Sequence, residues 1–105
     1  MNLRIEVLPD ALQQIEQAAA WWHEHRTAAA GLFRAELEAA FRQLERMPDA
    51  GRPFPRRLFP HLRVLLMPRT RYHVYYEHDA AGEVVLVRAV WSAVRSRRPP
   101  LRRGR

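Results

Sequence analysis

The spacing of apolar residues changes once along this chain, near Pro48 and Gly51. Before that point apolar side chains recur every three or four residues, which is the period of a helix with one buried face. After it they alternate with polar residues or form short runs, as strands do. Helices and strands of this kind bury their apolar faces against each other, so the chain of 105 residues predicts one domain with one core.

The first half predicts a short strand and two helices. Residues 3–8 alternate apolar and polar side chains, which is typical of a strand with one buried face. A helix is predicted over residues 10–26, with Asp10 as its N-terminal cap. Thr27 is expected to cap the second helix, which ends at Pro48 because the residue before a proline avoids helical geometry. The buried stripe of the first helix is predicted to be Leu12, Ile15, Ala19 and Trp22.

The second half predicts an antiparallel meander of three strands. Residues 52–61 contain three prolines and are expected to be irregular. Strands are predicted over residues 62–67, 71–78 and 83–91. The third is nearly continuous in apolar residues, which favours a central position. The expected fold is therefore a two-layer α+β domain, in which a helical hairpin packs on an antiparallel sheet with the N-terminal strand at its edge. We place this domain at residues 1–98 and expect residues 99–105 to form a flexible basic tail.

The charge of the chain is divided unevenly between its halves. Residues 1–50 contain 5 arginines against 8 acidic residues, whereas residues 51–105 contain 13 arginines against 3 acidic residues. The basic half indicates a negatively charged partner, such as nucleic acid, a ribonucleoprotein or an acidic protein segment. A basic surface that only keeps the protein in solution is the alternative, and the complete absence of lysine is also explained by a GC-rich genome.

Several classes of protein do not fit the sequence. There is no cysteine, so neither a disulfide nor a thiolate metal site can form. No apolar run is long enough for a membrane span, and the first residues do not resemble a signal peptide, so a cytoplasmic location is expected. Phosphate-binding glycine loops are absent, and His23 and His25 are spaced to point to different helix faces. We therefore expect neither a metal nor a cofactor.

The candidate functional residues are basic and aromatic, and they lie in the strands and just after them. They are Arg63, Arg71, His73, Tyr75, Arg88, Trp91, Arg95, Arg97 and Arg98. RNA cleavage without a metal needs a base, an acid and cations that hold the phosphate. His73 is the candidate base, Arg71 and Arg88 are candidate phosphate ligands, and Tyr75 could stack on a nucleobase. The alternative is that the aromatic residues belong to the sheet core and that His73 is an ordinary strand residue.

Three stretches resemble the RelE/ParE family of toxins from type II toxin–antitoxin modules. They are the tyrosine-rich strand Tyr72-His73-Val74-Tyr75-Tyr76, the apolar strand from Val84 to Ala89, and the ending Val90-Trp91-Ser92-Ala93-Val94-Arg95-Ser96-Arg97-Arg98-Pro99. The order of strand, helical hairpin and meander is similar as well. The chain is most similar to the ParE-like, plasmid-stabilisation branch of the family, over about residues 3–100.

This resemblance implies a growth-inhibiting toxin that a cognate antitoxin silences. ParE-like members inhibit DNA gyrase, whereas RelE-like members cut messenger RNA on the ribosome. The ribonucleases carry an arginine in the tyrosine-rich strand, where this chain has His73, and they often end with a tyrosine that is absent here. Gyrase is therefore the expected target, and a ribosome-dependent endoribonuclease using Arg71, His73 and Arg95 is the alternative. The expected antitoxin is an acidic, partly disordered protein that forms a hetero-oligomer with the toxin.

Overall fold

The computed structural model describes residues 2–95 and 97–102. It contains a four-residue N-terminal strand, two helices, and four further strands. These elements are β1 (Arg4–Val7), α1 (Pro9–His25), α2 (Leu32–Arg46), β2 (Arg52–Pro53), β3 (Arg63–Met67), β4 (Tyr72–Asp79) and β5 (Val84–Ser92). None of the helices in this part of the chain is long and apolar enough to cross a membrane.

The five strands form one sheet in the order β1-β5-β4-β3-β2. The predicted meander is confirmed, since β3, β4 and β5 pair antiparallel along the chain. The N-terminal strand joins the sheet edge as expected, but it pairs parallel to β5, so the sheet is mixed. In the stretch expected to be irregular, β2 forms a short strand antiparallel to β3, where a proline is tolerated because it lies on the outer edge.

Both helices pack on one face of the sheet, which we call the helix face. The buried core there joins apolar side chains from α1, α2 and three strands, and its largest members are Phe33, Leu44, Met67, Val74 and Tyr76. The opposite side of the sheet, which we call the open face, has a smaller apolar cluster around Phe59, Leu62 and Val64. β5 contributes buried residues to both faces, as its apolar run predicted, and it lies between β1 and β4, whereas β4 is the middle strand of the sheet.

The helix starts differ from those predicted. α1 begins at Pro9 and its N-cap is Leu8, which makes no side-chain capping bond, so the prediction of Asp10 as the cap was wrong. Proline fits the first helical position because its ring already has the required φ and no amide hydrogen is needed there. Thr27 does not cap α2 either, because residues 27–29 form a 3₁₀ turn and α2 starts at Leu32.

The buried stripe of α1 is rotated from the predicted one. Ala11, Ile15 and Ala18 lie in the core, whereas the side chain of Leu12 is 49% exposed. Trp22 packs against the core at its margin. Small alanines occupy the line of closest approach, and this allows the helix to lie close to β5. Of the predicted stripe, Ile15 is buried and Ala19 also packs against the core, so the prediction was wrong for Leu12.

Tyr76 fixes the loop that follows α2 to the sheet. Its hydroxyl donates a hydrogen bond to the carbonyl oxygen of Pro48 at 2.7 Å and accepts one from the amide of Gly51 at 2.8 Å. A Cβ atom at position 51 would lie 2.7 Å from the Tyr76 hydroxyl and 2.8 Å from the carbonyl oxygen of Val64. Glycine is therefore required at position 51 by close packing.

Glu36 on α2 performs a similar function for the β3–β4 turn. Its carboxylate accepts hydrogen bonds from the amides of Arg69 and Thr70 at 2.7 and 2.8 Å, and from the Thr70 hydroxyl at 2.6 Å. Burial alone would raise the pKa of Glu36, but these hydrogen bonds together hold that pKa below its ordinary value of 4.5. The ionised carboxylate is thus the form that stabilises the fold.

Replacing Gly51 tests the close packing beneath the loop. We expect Gly51→Ala to lower the free energy of unfolding by about 1–3 kcal/mol, because the added methyl group must displace a hydrogen-bonded ring or backbone. Gly31→Ala is the matched control, since nothing lies within 4 Å of a Cβ there. Urea unfolding of both variants measures the difference, and equal stabilities would contradict this account.

Glu36 also predicts how stability depends on pH. Because the pKa of Glu36 is lower in the folded chain, its contribution is complete above pH 4.5 and is lost as the pH falls further and the carboxylate is protonated. Glu36→Gln should remove about 1 kcal/mol at pH 7. The difference in stability between wild type and variant should then shrink in acid; a constant difference from pH 7 to pH 3 would contradict the prediction.

Candidate functional site

The open face receives one set of side chains from β4 and β5. His73 and Tyr75 of β4 lie opposite Trp91 and Ala89 of β5 in the antiparallel register. The register shifts by one residue at the step from Tyr75 to Tyr76, so that β5 has an extra residue, Arg88, at this point. Because of this bulge, the adjacent residues Arg88 and Ala89 both face the open side of the sheet. In a regular strand, two adjacent side chains would face opposite sides.

Tyr75 is the buried centre of this face. Its side chain is only 6% exposed and packs with Phe54 from the loop after β2, at 5.5 Å between ring centroids. The guanidinium carbons of Arg52 and Arg56 lie 5.2 and 3.5 Å from the centroid of the same Phe54 ring. Cations over an aromatic face are attracted by its electron density, so this arrangement holds two positive charges beside Tyr75.

The positive charge changes the titration of the side chains on this face. Burial lowers the pKa of His73, and the charges of Arg52 and Arg71 lower that pKa further. His73 is therefore neutral at physiological pH. Burial raises the pKa of the Tyr75 hydroxyl, against the opposing effect of the neighbouring arginines, so Tyr75 stays protonated. Neither group carries a charge that would offset the arginines.

Arg71 is held in a costly backbone conformation at the start of β4. Its φ is 64°, in the left-handed region that disfavours side chains with a Cβ. Its amide bonds to the carbonyl oxygen of Met67 at 2.9 Å, and its own carbonyl oxygen accepts from the amide of Ala93 at 2.7 Å. A glycine would relieve the strain, so the arginine side chain at this position is a feature that the turn itself does not require.

The chain after β5 returns across the open face. The guanidinium carbon of Arg95 lies 4.4 Å from the centroid of the Trp91 ring, whose indole nitrogen donates to the carbonyl oxygen of Arg97 at 3.1 Å. Pro99 is buried and Leu101 packs against the apolar cluster of the open face. The predicted boundary at residue 98 and the flexibility of the tail stay predictions; residues 103–105 lie outside the described part of the chain.

Most of the predicted residues thus come together. We define the arginine cluster as the arginines that lie over or beside the aromatic residues and His73 of the open face. Its members are Arg52, Arg56, Arg71, Arg95 and Arg98. The predicted residues His73, Tyr75 and Trp91 lie among them, and Arg97 contributes its carbonyl group beside Trp91.

Two predicted residues are placed differently. Arg63 is paired with Tyr76 in the register, and its guanidinium donates to the carbonyl oxygen of Gly51 at 2.7 Å, so it holds the loop after α2. Arg88 lies on the open face but forms a largely buried ion pair with Glu77 and covers the ring of Phe59 at 4.6 Å. We therefore leave both out of the arginine cluster.

Sequence reasoning did not single out Arg52 or Arg56 as neighbours of Tyr75. The three prolines of residues 52–61 indicated an irregular segment, yet β2 and the bridge between Arg56 and Phe59 fix this segment against the sheet. The available signal was the alternation of Arg52, Phe54 and Arg56, in which cationic and aromatic residues occupy every second position. Such alternation predicts a common face in any extended segment.

The fold is similar to that of solved toxin structures. Two helices on one face of a five-stranded sheet form the α+β fold of the RelE/ParE toxins, and structural comparison supports this. A chain of the toxin–antitoxin complex RelBE2 from Mycobacterium tuberculosis superposes with a TM-score of 0.62 at 19% identity, over 88% of this chain and 99% of that one. A mutant of the E. coli toxin RelE in the free state gives 0.59 at 17% identity, over 91% and 88% of the two chains.

The family follows from the sequence itself. Residues 5–97 match the family described as the ParE toxin of type II toxin–antitoxin system, parDE. The chain therefore belongs to the ParE toxin family of type II toxin–antitoxin systems, which confirms the resemblance seen in its strands. Among curated proteins, none matches the chain.

The strain at Arg71 gives a test that separates fold from function. We expect Arg71→Gly to be more stable than Arg71→Ala by about 1 kcal/mol, because glycine adopts a positive φ without steric cost. Both variants lack the guanidinium, so both should lose the same part of any activity that needs its charge. Thermal unfolding measures the stability of each variant, and a growth assay measures its toxicity. If Arg71→Gly were both more stable and more toxic than Arg71→Ala, a functional role for this side chain would be contradicted.

Proposed function

We propose that the protein inhibits bacterial growth by acting on DNA gyrase and that a cognate antitoxin silences it. Membership of the ParE toxin family supports this, since the resemblance to ParE-like toxins implies gyrase as their target. The observation that carries the choice is that five arginines lie together over and beside the aromatic residues of the open face. Such a face is suited to binding an acidic surface of a protein.

The geometry explains why binding is favoured over RNA cleavage. Cleavage without a metal requires a base and an acid that both reach the reacting atoms. His73 is half-buried and can accept a proton. The hydroxyl group of Tyr75, whose ring centroid lies 5.8 Å from that of His73, belongs to a side chain that is only 6% exposed and packs with Phe54. Arginine keeps its proton at any physiological pH and so cannot act as the acid.

A ribosome-dependent endoribonuclease is the second candidate, and one observation favours it. The lowered pKa of His73 keeps its imidazole neutral, which is the state a general base needs. Arg71 and Arg95 are the cations close to His73. The charge of Arg71 lowers the pKa of His73. Arg95 lies over Trp91, which is the residue opposite His73 on β5. In this function the two arginines stabilise the negative charge that develops on the phosphate.

The antitoxin follows from the same charge distribution. The positive charges of the five arginines in the cluster repel one another, and an acidic segment bound to them would reduce this repulsion. The segment would be disordered when free, because a short acidic peptide cannot bury enough apolar area alone. We expect such a partner to compete with the target for the arginine cluster.

A supercoiling assay with purified toxin tests the target. Wild type should inhibit gyrase, and Arg71→Ala combined with Arg95→Ala should weaken the inhibition about tenfold or more, as expected when contacts worth at least 1.4 kcal/mol are lost. The combination of Arg34→Ala and Arg42→Ala, two exposed arginines of α2, is the matched control for net charge. Normal supercoiling at concentrations that stop growth would overturn gyrase as the target.

His73→Gln distinguishes the two candidate functions. Glutamine keeps the polarity of the side chain but cannot act as a base near neutral pH. If the protein is a ribonuclease, this change should reduce cleavage of translated messenger RNA by about 10²–10⁴-fold, the usual contribution of a general base. If it acts by binding gyrase, inhibition should fall by no more than about the tenfold that one modest contact contributes.

A further inference from the structure

The open face contains a pocket between the loop after β2 and the chain that follows β5. Its volume is about 330 Å³, which is near the lower end of the roughly 300–1,000 Å³ that is usual for small-molecule sites. Its walls combine apolar side chains with arginines, and none of the described residues that line it is acidic. The apolar residues are Phe54, Leu58, Phe59, Pro99 and Leu101.

Backbone hydrogen bonds hold the loop that forms one wall of this pocket. The amide of Arg56 donates to the carbonyl oxygen of Phe59 at 3.0 Å, and the amide of Phe59 donates to the carbonyl oxygen of Arg56 at 2.9 Å. Arg57 and Leu58 therefore lie at the tip of a tight turn, whose base is a bridge between the two flanking residues. Because this wall is already formed, a ligand does not have to order it on binding.

The opposite wall is the chain after β5, which is attached on both sides of the pocket. The indole nitrogen of Trp91 donates to the carbonyl oxygen of Arg97 at 3.1 Å, and the guanidinium of Arg102 pairs with the carboxylate of Asp10 at 3.1 Å. Between these two contacts, Leu101 packs against the apolar cluster of the open face. The pocket is thus closed on this side by a segment that contacts both β5 and α1.

The arginines that line the pocket have charge available for a ligand. They are Arg56, Arg57 and Arg98. Arg57 and Arg98 are exposed, and within residues 2–95 and 97–102 neither forms an ion pair with a carboxylate. A ligand carboxylate has two oxygen atoms that accept hydrogen bonds, and the planar donors of guanidinium groups match this geometry. The charge of the pocket therefore favours a ligand with a carboxylate group.

The apolar walls suit an aliphatic chain better than a nucleobase. A base needs an aromatic face on which to stack. The guanidinium carbon of Arg56, however, lies 3.5 Å from the centroid of the Phe54 ring, and that of Arg88 lies 4.6 Å from the centroid of the Phe59 ring. Both rings are thus already covered by a cation. Leu58 is 53% exposed, so an aliphatic ligand would remove apolar surface from water there.

We propose that this pocket binds a small aliphatic carboxylate, with its alkyl chain against Leu58 and Leu101 and its carboxylate at Arg57 and Arg98. This binding site goes beyond the proposed function and does not depend on the target of the toxin. Arg56 and Arg98 line the pocket and also belong to the arginine cluster. A bound carboxylate would therefore reduce the positive charge of the cluster and weaken interactions that depend on it.

Calorimetric titration of the full chain with octanoate tests the proposal. We expect octanoate to bind at a single site, and octyltrimethylammonium, which has the same chain but a positive head group, not to bind. Hexanoate should bind more weakly, by up to about fourfold for each methylene group removed, because a buried methylene contributes about 0.8 kcal/mol. Octanoate should also shift the NMR signals of the amides of Leu58, Phe59 and Leu101. Equal affinities of hexanoate and octanoate would overturn the proposal.

Variants separate this pocket from the general attraction of anions to a basic protein. Arg57→Gln combined with Arg98→Gln should weaken octanoate binding about tenfold or more, and because both side chains are exposed the core stays intact. Arg34→Gln combined with Arg42→Gln on α2 is the matched control for net charge and should bind octanoate as wild type does.

Two results of these experiments would contradict the proposed site. One is equal weakening of octanoate binding by both pairs of substitutions. The other is a shift of the same amide signals by adenosine monophosphate but not by octanoate, since this would assign the pocket to nucleotides. None of these measurements involves gyrase or growth, so a failure of the proposed function and a failure of the proposed pocket are told apart.

Discussion

The register of β4 is the constraint on which the rest of the structure depends. Val74 and Tyr76 enter the core under the helices because His73 and Tyr75 face the other way, and a shift by one residue would exchange the two sets. The hydroxyl of Tyr76 fixes the register from the helix face by bonding Pro48 and Gly51. The position of His73 among arginines is thus a consequence of packing on the opposite side of the sheet.

The open face holds the five positive charges of the arginine cluster close to aromatic rings, and arginine rather than lysine makes this possible. A guanidinium group is planar and weakly hydrated, so it can lie flat on an aromatic ring and keep its charge near the surface. Arg52 and Arg56 do this on Phe54, and Arg95 does it on Trp91. The absence of lysine from the sequence, which a GC-rich genome also explains, therefore has a structural use on this face.

The sequence predicted the order of both helices and of β1, β3, β4 and β5, but not β2. That order follows from periodicity alone, which burial enforces over whole elements. It did not predict that Leu12 would be exposed or that Leu8 would precede α1 without a capping bond. The exposed side of α1 and the residue at which it starts depend on how closely this helix packs on the sheet. Tertiary contacts determine that packing, whereas the conformational preferences of single residues do not. The same holds for Arg88, whose direction is determined by a bulge.

The arginine cluster has a consequence for silencing. Arg71 lies beside His73, and Arg95 lies over the ring of Trp91. An antitoxin bound over the cluster would neutralise Arg95 and cover Trp91, so a target that needs the same arginines is excluded while the antitoxin is bound. Two ligands that exclude each other weaken each other's binding equally, whatever the order of arrival. Silencing in this arrangement requires no change of fold, only an antitoxin that binds the shared arginines more tightly than the target does.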